Sequence, residues 1–171
     1  MVVWIIGLSG AGKTTLANEV YLQVKNKISN VFLVDGDIIR EIFGNDLGHT
    51  KEDRLKNSER VSQLCKYLND QGIHVICAIL SIFKESRDWN KKNISDYYEV
   101  FIDTPIAELI NRDPKGLYKK YLRGKLKDFP GLDMDFPRPD SANLIIDNTG
   151  SNNQLLGYAK KITEKVIGSN S

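Results

Sequence analysis

Gly7-Leu8-Ser9-Gly10-Ala11-Gly12-Lys13-Thr14 has the spacing G-x-x-x-x-G-K-T, the arrangement that cradles a polyphosphate. Its glycines open backbone angles closed to other residues. Successive N–H groups then converge on phosphate oxygens at the positive end of the following helix. Lys13 is expected to reach the β- and γ-phosphates, and the Thr14 hydroxyl to ligate Mg²⁺. The motif therefore predicts a nucleoside triphosphate, ATP or GTP, held by Gly7, Ser9, Gly10, Ala11, Gly12, Lys13, Thr14 and Thr15.

Other residues fit the same chemistry. In Asp35-Gly36-Asp37 two carboxylates straddle a glycine, placed to handle a hydroxyl proton or to orient Mg²⁺ through water. Asp37, Asp35 and Lys13 are the catalytic candidates, although Asp35 also reads as a capping residue in a turn. Arg40 follows three residues on and faces the same cleft. At about 100° per residue, Arg54, Asn57, Val61, Leu64 and Leu68 share one stripe of a helix expected over 51–71. Arg54 and Asn57 therefore look inward, and a buried arginine requires an anion, either a substrate phosphate or a fixed carboxylate. Glu52, Asp53 and Lys56 read as a solvated face.

Further on, Ser81 ends a strand, Arg87 is either a phosphate ligand or a surface charge, and Trp89 reads as packing. The block from Lys115 to Lys125, flanked by Gly116 and Gly124, reads as a lid closing over phosphates, with a solvated lysine-rich helix as the alternative. Phe129 or Phe136 is placed to stack on a base.

Elements that position such residues are visible as apolar runs at 2–6, 31–34, 74–80, 98–102 and 144–146. These runs are continuous, not alternating, and helical patterns separate most of them. That combination predicts an α/β fold, a five-stranded parallel sheet with helices on both faces and ligands at the carboxyl ends of the strands. A last helix is expected over 153–167, with Ser169-Asn170-Ser171 frayed.

A chain of 171 residues predicts one domain over 1–171, its lid at about 112–137. The net charge of +2 argues against a nucleic-acid polymer as partner. The opening apolar run is too short for a leader or a membrane span, so a cytoplasmic protein is expected, away from membranes. Cys65 and Cys77 read as small core residues in a reducing compartment.

Taken in order, GLSGAGKTT, VDGDIIR, NDLGHTKEDR, FIDTP and RDPKGLYKK resemble the adenylylsulfate kinase family over nearly the whole chain. The resemblance implies a P-loop kinase with Mg²⁺ and ATP that phosphorylates the ribose 3′-hydroxyl of adenosine 5′-phosphosulfate. On that basis Asp37 is the base or magnesium organiser, acting on the metal through water, with Asp35 beside it. Arg40, Arg54 and Asn57 hold the nucleotide substrate, and Ser81 lies next to it. Lys115, Leu117 and the rest of the basic block through Lys120 form the lid, and Arg112 flanks the ATP base. A small nucleotide is the implied partner, and a homodimer is expected because relatives are commonly dimers.

Two departures from the family pattern bear on the substrate. His49 stands where a phenylalanine usually walls the adenine slot, and Ser81-Ile82-Phe83 replaces a serine-proline-tyrosine turn. The related cytidine diphosphoramidate kinases of capsule synthesis are the leading alternative. A non-catalytic nucleotide-binding regulator is a further one, as is a kinase of a small non-nucleotide.

Overall fold

The computed structural model describes residues 1–169. Asn170 and Ser171, where fraying was expected, lie outside the described residues, and Ser169 closes the last helix.

Five strands, β1 (Val2–Ile6), β2 (Val31–Asp35), β3 (His74–Ile79), β4 (Tyr97–Asp103) and β5 (Leu144–Asp147), form one parallel sheet in the order β2-β3-β1-β4-β5. All five lie where the apolar runs placed them. Three of them extend one residue past the run, to Asp35, Asp103 and Asp147. Backbone pairing continues there after the apolar side chains stop, Asp35 opposite Ala78 and Asp103 opposite Asp147. A row of carboxylates thus stands along the carboxyl edge of the sheet.

Side chains of β1 alternate between two cores, as the pleat requires. Val3 and Ile5 join α1 (Lys13–Lys25) and α7 (Asn152–Gly168) on one face. Val2, Trp4 and Ile6 join α3 (Lys51–Asp70) on the other, where Cys65 and Cys77 are buried as free thiols. Burial on both faces explains why the strands read as continuous apolar runs. Each such Ile or Val is worth about 1.5–3 kcal/mol relative to exposure.

The helices begin where their caps dictate. Thr50 accepts from the Asp53 N–H at the start of α3, and Ser151 with Gln154 forms a capping box on α7. Three shorter helices, α2 (Gly36–Ile42), α4 (Lys84–Asn93) and α5 (Ile106–Arg112), follow β2, β3 and β4, and α6 (Leu117–Leu122) lies within the basic block.

Candidate functional site

The carboxyl ends of β1, β2 and β3 open into a cleft of about 900 Å³. It lies where the connection from β1 runs towards β2 at one edge of the sheet and that from β3 crosses β1 to β4 towards the other, the usual ligand position in such folds. Ser9, Gly10, Gly12, Lys13, Thr14, Thr15, Asp35, Asp37, Arg40, His49, Arg54, Asn57, Ser81, Arg112, Lys115, Leu117 and Phe129 all line it.

Gly7 and Ala11, expected among the ATP contacts, do not line the cleft. Gly7 has φ 156°, and a Cβ there would come within 2.7 Å of the Ile102 carbonyl, so its glycine is required by β4. Ala11 is buried, and its carbonyl accepts from Asn148 Nδ2 at 2.9 Å.

The loop before α1 is braced from below. Tyr118 Oη donates to the Ser9 carbonyl at 3.1 Å, and Lys13 Nζ donates to the Leu8 carbonyl at 2.9 Å. Burial is the main cause that lowers the Lys13 pKa to about 8; Lys115 adds to it, while Asp37 and Asp35 oppose it. The Tyr118 phenol is pushed up to about 12 by burial and then by Asp113.

Asp35 caps α2, one of the two readings that the sequence left open, and it also meets Thr14. Its Oδ1 accepts the Asp37 N–H at 2.8 Å and caps α2, and its Oδ2 accepts the Thr14 hydroxyl at 2.9 Å. That oxygen pair suits a hard cation which keeps most of its waters. Among the described residues no group of three or more His, Cys, Asp or Glu side chains forms a metal cage, so any Mg²⁺ here would rely on Thr14, Asp35, water and phosphate.

Asp37 is paired across 78 residues of chain with Lys115, whose ammonium lies 2.7 Å from Oδ2. Burial pushes the Asp37 carboxyl up, but Lys115, Lys13 and Arg40 outweigh it and hold the pKa below the usual range. The hydrogen bond to Asp37 raises that of Lys115.

Arg40 and Arg54 hold the loop between α2 and α3. Arg40 Nη1 donates to the Leu47 and Gly48 carbonyls at 3.2 and 2.8 Å. Arg54 donates to the His49 carbonyl at 2.8 Å and the Asp128 carbonyl at 3.3 Å. Among the described residues no carboxylate lies at ion-pair distance from Arg54; its hydrogen-bond partners are main-chain carbonyls. Burial lowers both guanidinium pKa values, and for Arg54 the charge on Arg40 adds to the effect. Beside them Asn57 Oδ1 and Ser58 Oγ are buried and lack hydrogen-bond partners. Among the described residues, two cations without a carboxylate at ion-pair distance and two orphaned polar atoms form a site short of an anion and a hydrogen-bonding ligand.

Several expectations change. Asp53 is not simply a solvated residue, because its Oδ2 accepts from the Gly48 N–H at 3.1 Å and closes the same loop. Ser81 lines the cleft, but its hydroxyl already accepts from Trp4 Nε1 at 3.1 Å. Arg87 is neither a surface charge nor a cleft residue: it is buried and donates to the Ser81 carbonyl at 3.0 Å. Phe136 packs 6.0 Å from Phe101, outside the cleft. Phe129 is buried with its ring edge-on to Tyr118 at 4.8 Å, and it reaches the cleft as a wall. His49 is exposed at the rim, and partial enclosure followed by Arg54 and Arg40 lowers its pKa.

Sequence reasoning missed Tyr118, Asn148 and Ser58. Asn148 directly follows β5, so the rule that ligands gather at strand carboxyl ends pointed to it. Tyr118 carried no signal apart from the basic block around it. Arg112 donates to Glu108 at 2.9 Å and to the Asn148 carbonyl at 2.8 Å, at the β5 end of the cleft.

Residues 1–147 match the family model described as adenylylsulphate kinase. The chain is 39% identical over 152 residues to the cytidine diphosphoramidate kinase of Campylobacter jejuni, covering 89% of this chain and 88% of that protein. It is 40% identical over 147 residues to the adenylyl-sulfate kinase of Clostridium kluyveri, covering 85% and 74%. Among solved structures, the Mycobacterium tuberculosis APS kinase in complex with AMPPNP and APS superposes with a TM-score of 0.87 at 33% identity, covering 97% of this chain and 96% of that one. Among the described residues no helix is long and apolar enough to cross a membrane.

Proposed function

The chain belongs to the adenylylsulfate kinase family of ATP-dependent phosphotransferases, and from that premise we propose that it transfers the γ-phosphoryl of ATP to the ribose 3′-hydroxyl of a modified nucleotide. Adenosine 5′-phosphosulfate is the first reading of the acceptor. The carrying observation is the pair Arg40 and Arg54, cationic, partly enclosed and bonded only to carbonyls, next to the orphaned Asn57 Oδ1 and Ser58 Oγ. Phosphate oxygens of an acceptor nucleotide would take the two guanidinium groups and the Ser58 hydroxyl, and a hydroxyl or amino donor of the same nucleotide would satisfy Asn57 Oδ1.

ATP lies along the loop from Ser9 to Thr15, with its base towards Arg112 and Asn148 at the opposite end from Arg54. Lys13 neutralises charge on the β- and γ-phosphates. Thr14 and Asp35 would hold Mg²⁺, which supplies further neutralisation of the transferring group when bound. Asp37 accepts the hydrogen bond of the attacking hydroxyl and takes its proton. Lys115 engages Oδ2 of Asp37, which leaves Oδ1 for the hydroxyl, and its ammonium supplies a further positive charge against that developing on the phosphoryl oxygens. The segment over about 112–137, which contains the basic block from Lys115 to Lys125, acts as a lid that excludes water from the transfer.

His49 favours a second reading. An imidazole at the rim stacks with less area than a phenyl ring and offers a hydrogen-bonding edge, which suits a smaller, more polar base such as cytosine. Cytidine diphosphoramidate is then the acceptor. The deciding experiment gives the purified protein ATP with each nucleotide in turn and compares kcat/KM. A preference of about a hundredfold, some 2.7 kcal/mol in transition-state binding, identifies the acceptor. No ADP release with either nucleotide overturns the proposal and leaves a binding-only protein or a kinase of a small non-nucleotide.

A further inference from the structure

Ser81 adopts a backbone conformation that serine rarely takes. Its φ is 44°, in the left-handed region where a Cβ crowds the following carbonyl. Such a residue keeps this geometry only when its surroundings over-determine it. Here two buried side chains do so, each gripping a different atom. The Trp4 indole N–H donates to Ser81 Oγ at 3.1 Å, and Arg87 Nη1 donates to the Ser81 carbonyl at 3.0 Å.

Neither side chain lines the cleft, whereas Ser81, Ile82 and Phe83 all do. Trp4 is fully buried in the middle of β1, and Arg87 is only 3% exposed on α4. Among the described residues Arg87 has no carboxylate at ion-pair distance. A buried guanidinium directed at one carbonyl is a costly way to fill space, since an apolar side chain of similar volume would stabilise the core at least as well. What the arginine adds is a fixed carbonyl, and what the indole adds is a fixed hydroxyl. On the proposed reading, strand order puts this turn on the acceptor side. β3 lies between β2, which leads into Asp37, and β1, while Arg112 and Asn148 lie beyond β1 by β4 and β5.

We infer that Trp4 and Arg87 are positioning residues for the acceptor: they lock the Ser81 turn so that Ser81, Ile82 and Phe83 present a fixed wall to the acceptor nucleotide. This rests on the reading of the cleft proposed above. The acceptor is oriented against a surface that cannot relax, and neither residue touches it.

The test is steady-state kinetics with whichever of adenosine 5′-phosphosulfate and cytidine diphosphoramidate is turned over. Trp4→Phe, which keeps a ring and removes the N–H, is expected to raise the acceptor KM about tenfold, as loss of one buried hydrogen bond would. The ATP KM should stay within about twofold. Arg87→Met should act likewise, and Arg87→Lys should recover part of the loss. In a Ser81→Ala background Trp4→Phe should add nothing, because the hydroxyl it acts through is already gone. Should Trp4→Phe fail to fold, the Arg87 pair carries the test alone. Equal rises in both KM values, or effects of Trp4→Phe and Ser81→Ala that multiply, would overturn the inference and leave the proposed function intact. A wild-type enzyme inactive on both nucleotides would overturn both.

Discussion

Around Gly10 and Lys13 the cleft is walled by main chain braced from within the protein, by Tyr118 on Ser9, Asn148 on Ala11 and the β4 backbone against Gly7. Around Arg54 it is walled by the exposed loop 43–50, held by Arg40, Arg54 and Asp53. The Asn148 bond to Ala11 is neutral and buried, and main chain anchored in that way keeps its shape whether or not a ligand is present. A loop held by guanidinium groups does not, because an arriving anion competes with carbonyls for the same donors. The difference assigns the two ends different tasks on the proposed reading. One presents preset amides to any ATP molecule. The other rearranges its donors around a particular acceptor.

Removing the charge at the braced end should have the largest effect. Lys13→Ala is expected to reduce ADP release in a coupled assay by a thousandfold or more, on the order of what a single charge-stabilising group contributes to phosphoryl transfer. Turnover close to wild type would remove this loop as the phosphate site. At the other end, Arg54→Met keeps the apolar stem and removes the donors. The acceptor KM should rise about 10–100-fold, the value of a hydrogen bond to a charged group, with the ATP KM nearly unchanged. If both constants rise together, the two ends are not separable.

Tyr118→Phe tests the brace more gently. Loss of the bond to Ser9 should cost about 0.5–1.5 kcal/mol of stability, read as a lower Tm, and raise the ATP KM a few-fold while sparing the acceptor.

The smallest expected effect is of pH. Lys13 is lowered from 10.5 to about 8, so between those values the unfolded chain binds the proton that the folded chain has released. Its contribution to stability therefore becomes more favourable as pH rises through that window, and ATP affinity falls because the neutral amine no longer attracts phosphate. Titration calorimetry in buffers of different ionisation enthalpy should show proton uptake on ATP binding near pH 8.5. Binding without proton uptake would mean that the lysine is already charged in the free protein.

Much of this molecule was legible in its residues. The five apolar runs became the five strands because both sheet faces are covered. The helical stripe brought Arg54 and Asn57 to the cleft, as counting at the helical period implied. The partners of those groups were not legible. Arg54 took carbonyls in place of a carboxylate, Asp37 took Lys115, and Arg87 turned inward to Ser81, because each partner lies on an element whose approach depends on the whole sheet order.

Local spacing was sufficient to determine the phosphate loop, the strand runs and the candidate charges, since turn chemistry and periodicity act over a few residues. Which charge meets which, why Gly7 must be glycine and how Ser81 is held were decided only by tertiary structure. Those outcomes depend on distances between residues as far apart as Trp4 and Ser81 or Asp37 and Lys115, which strand order and packing establish.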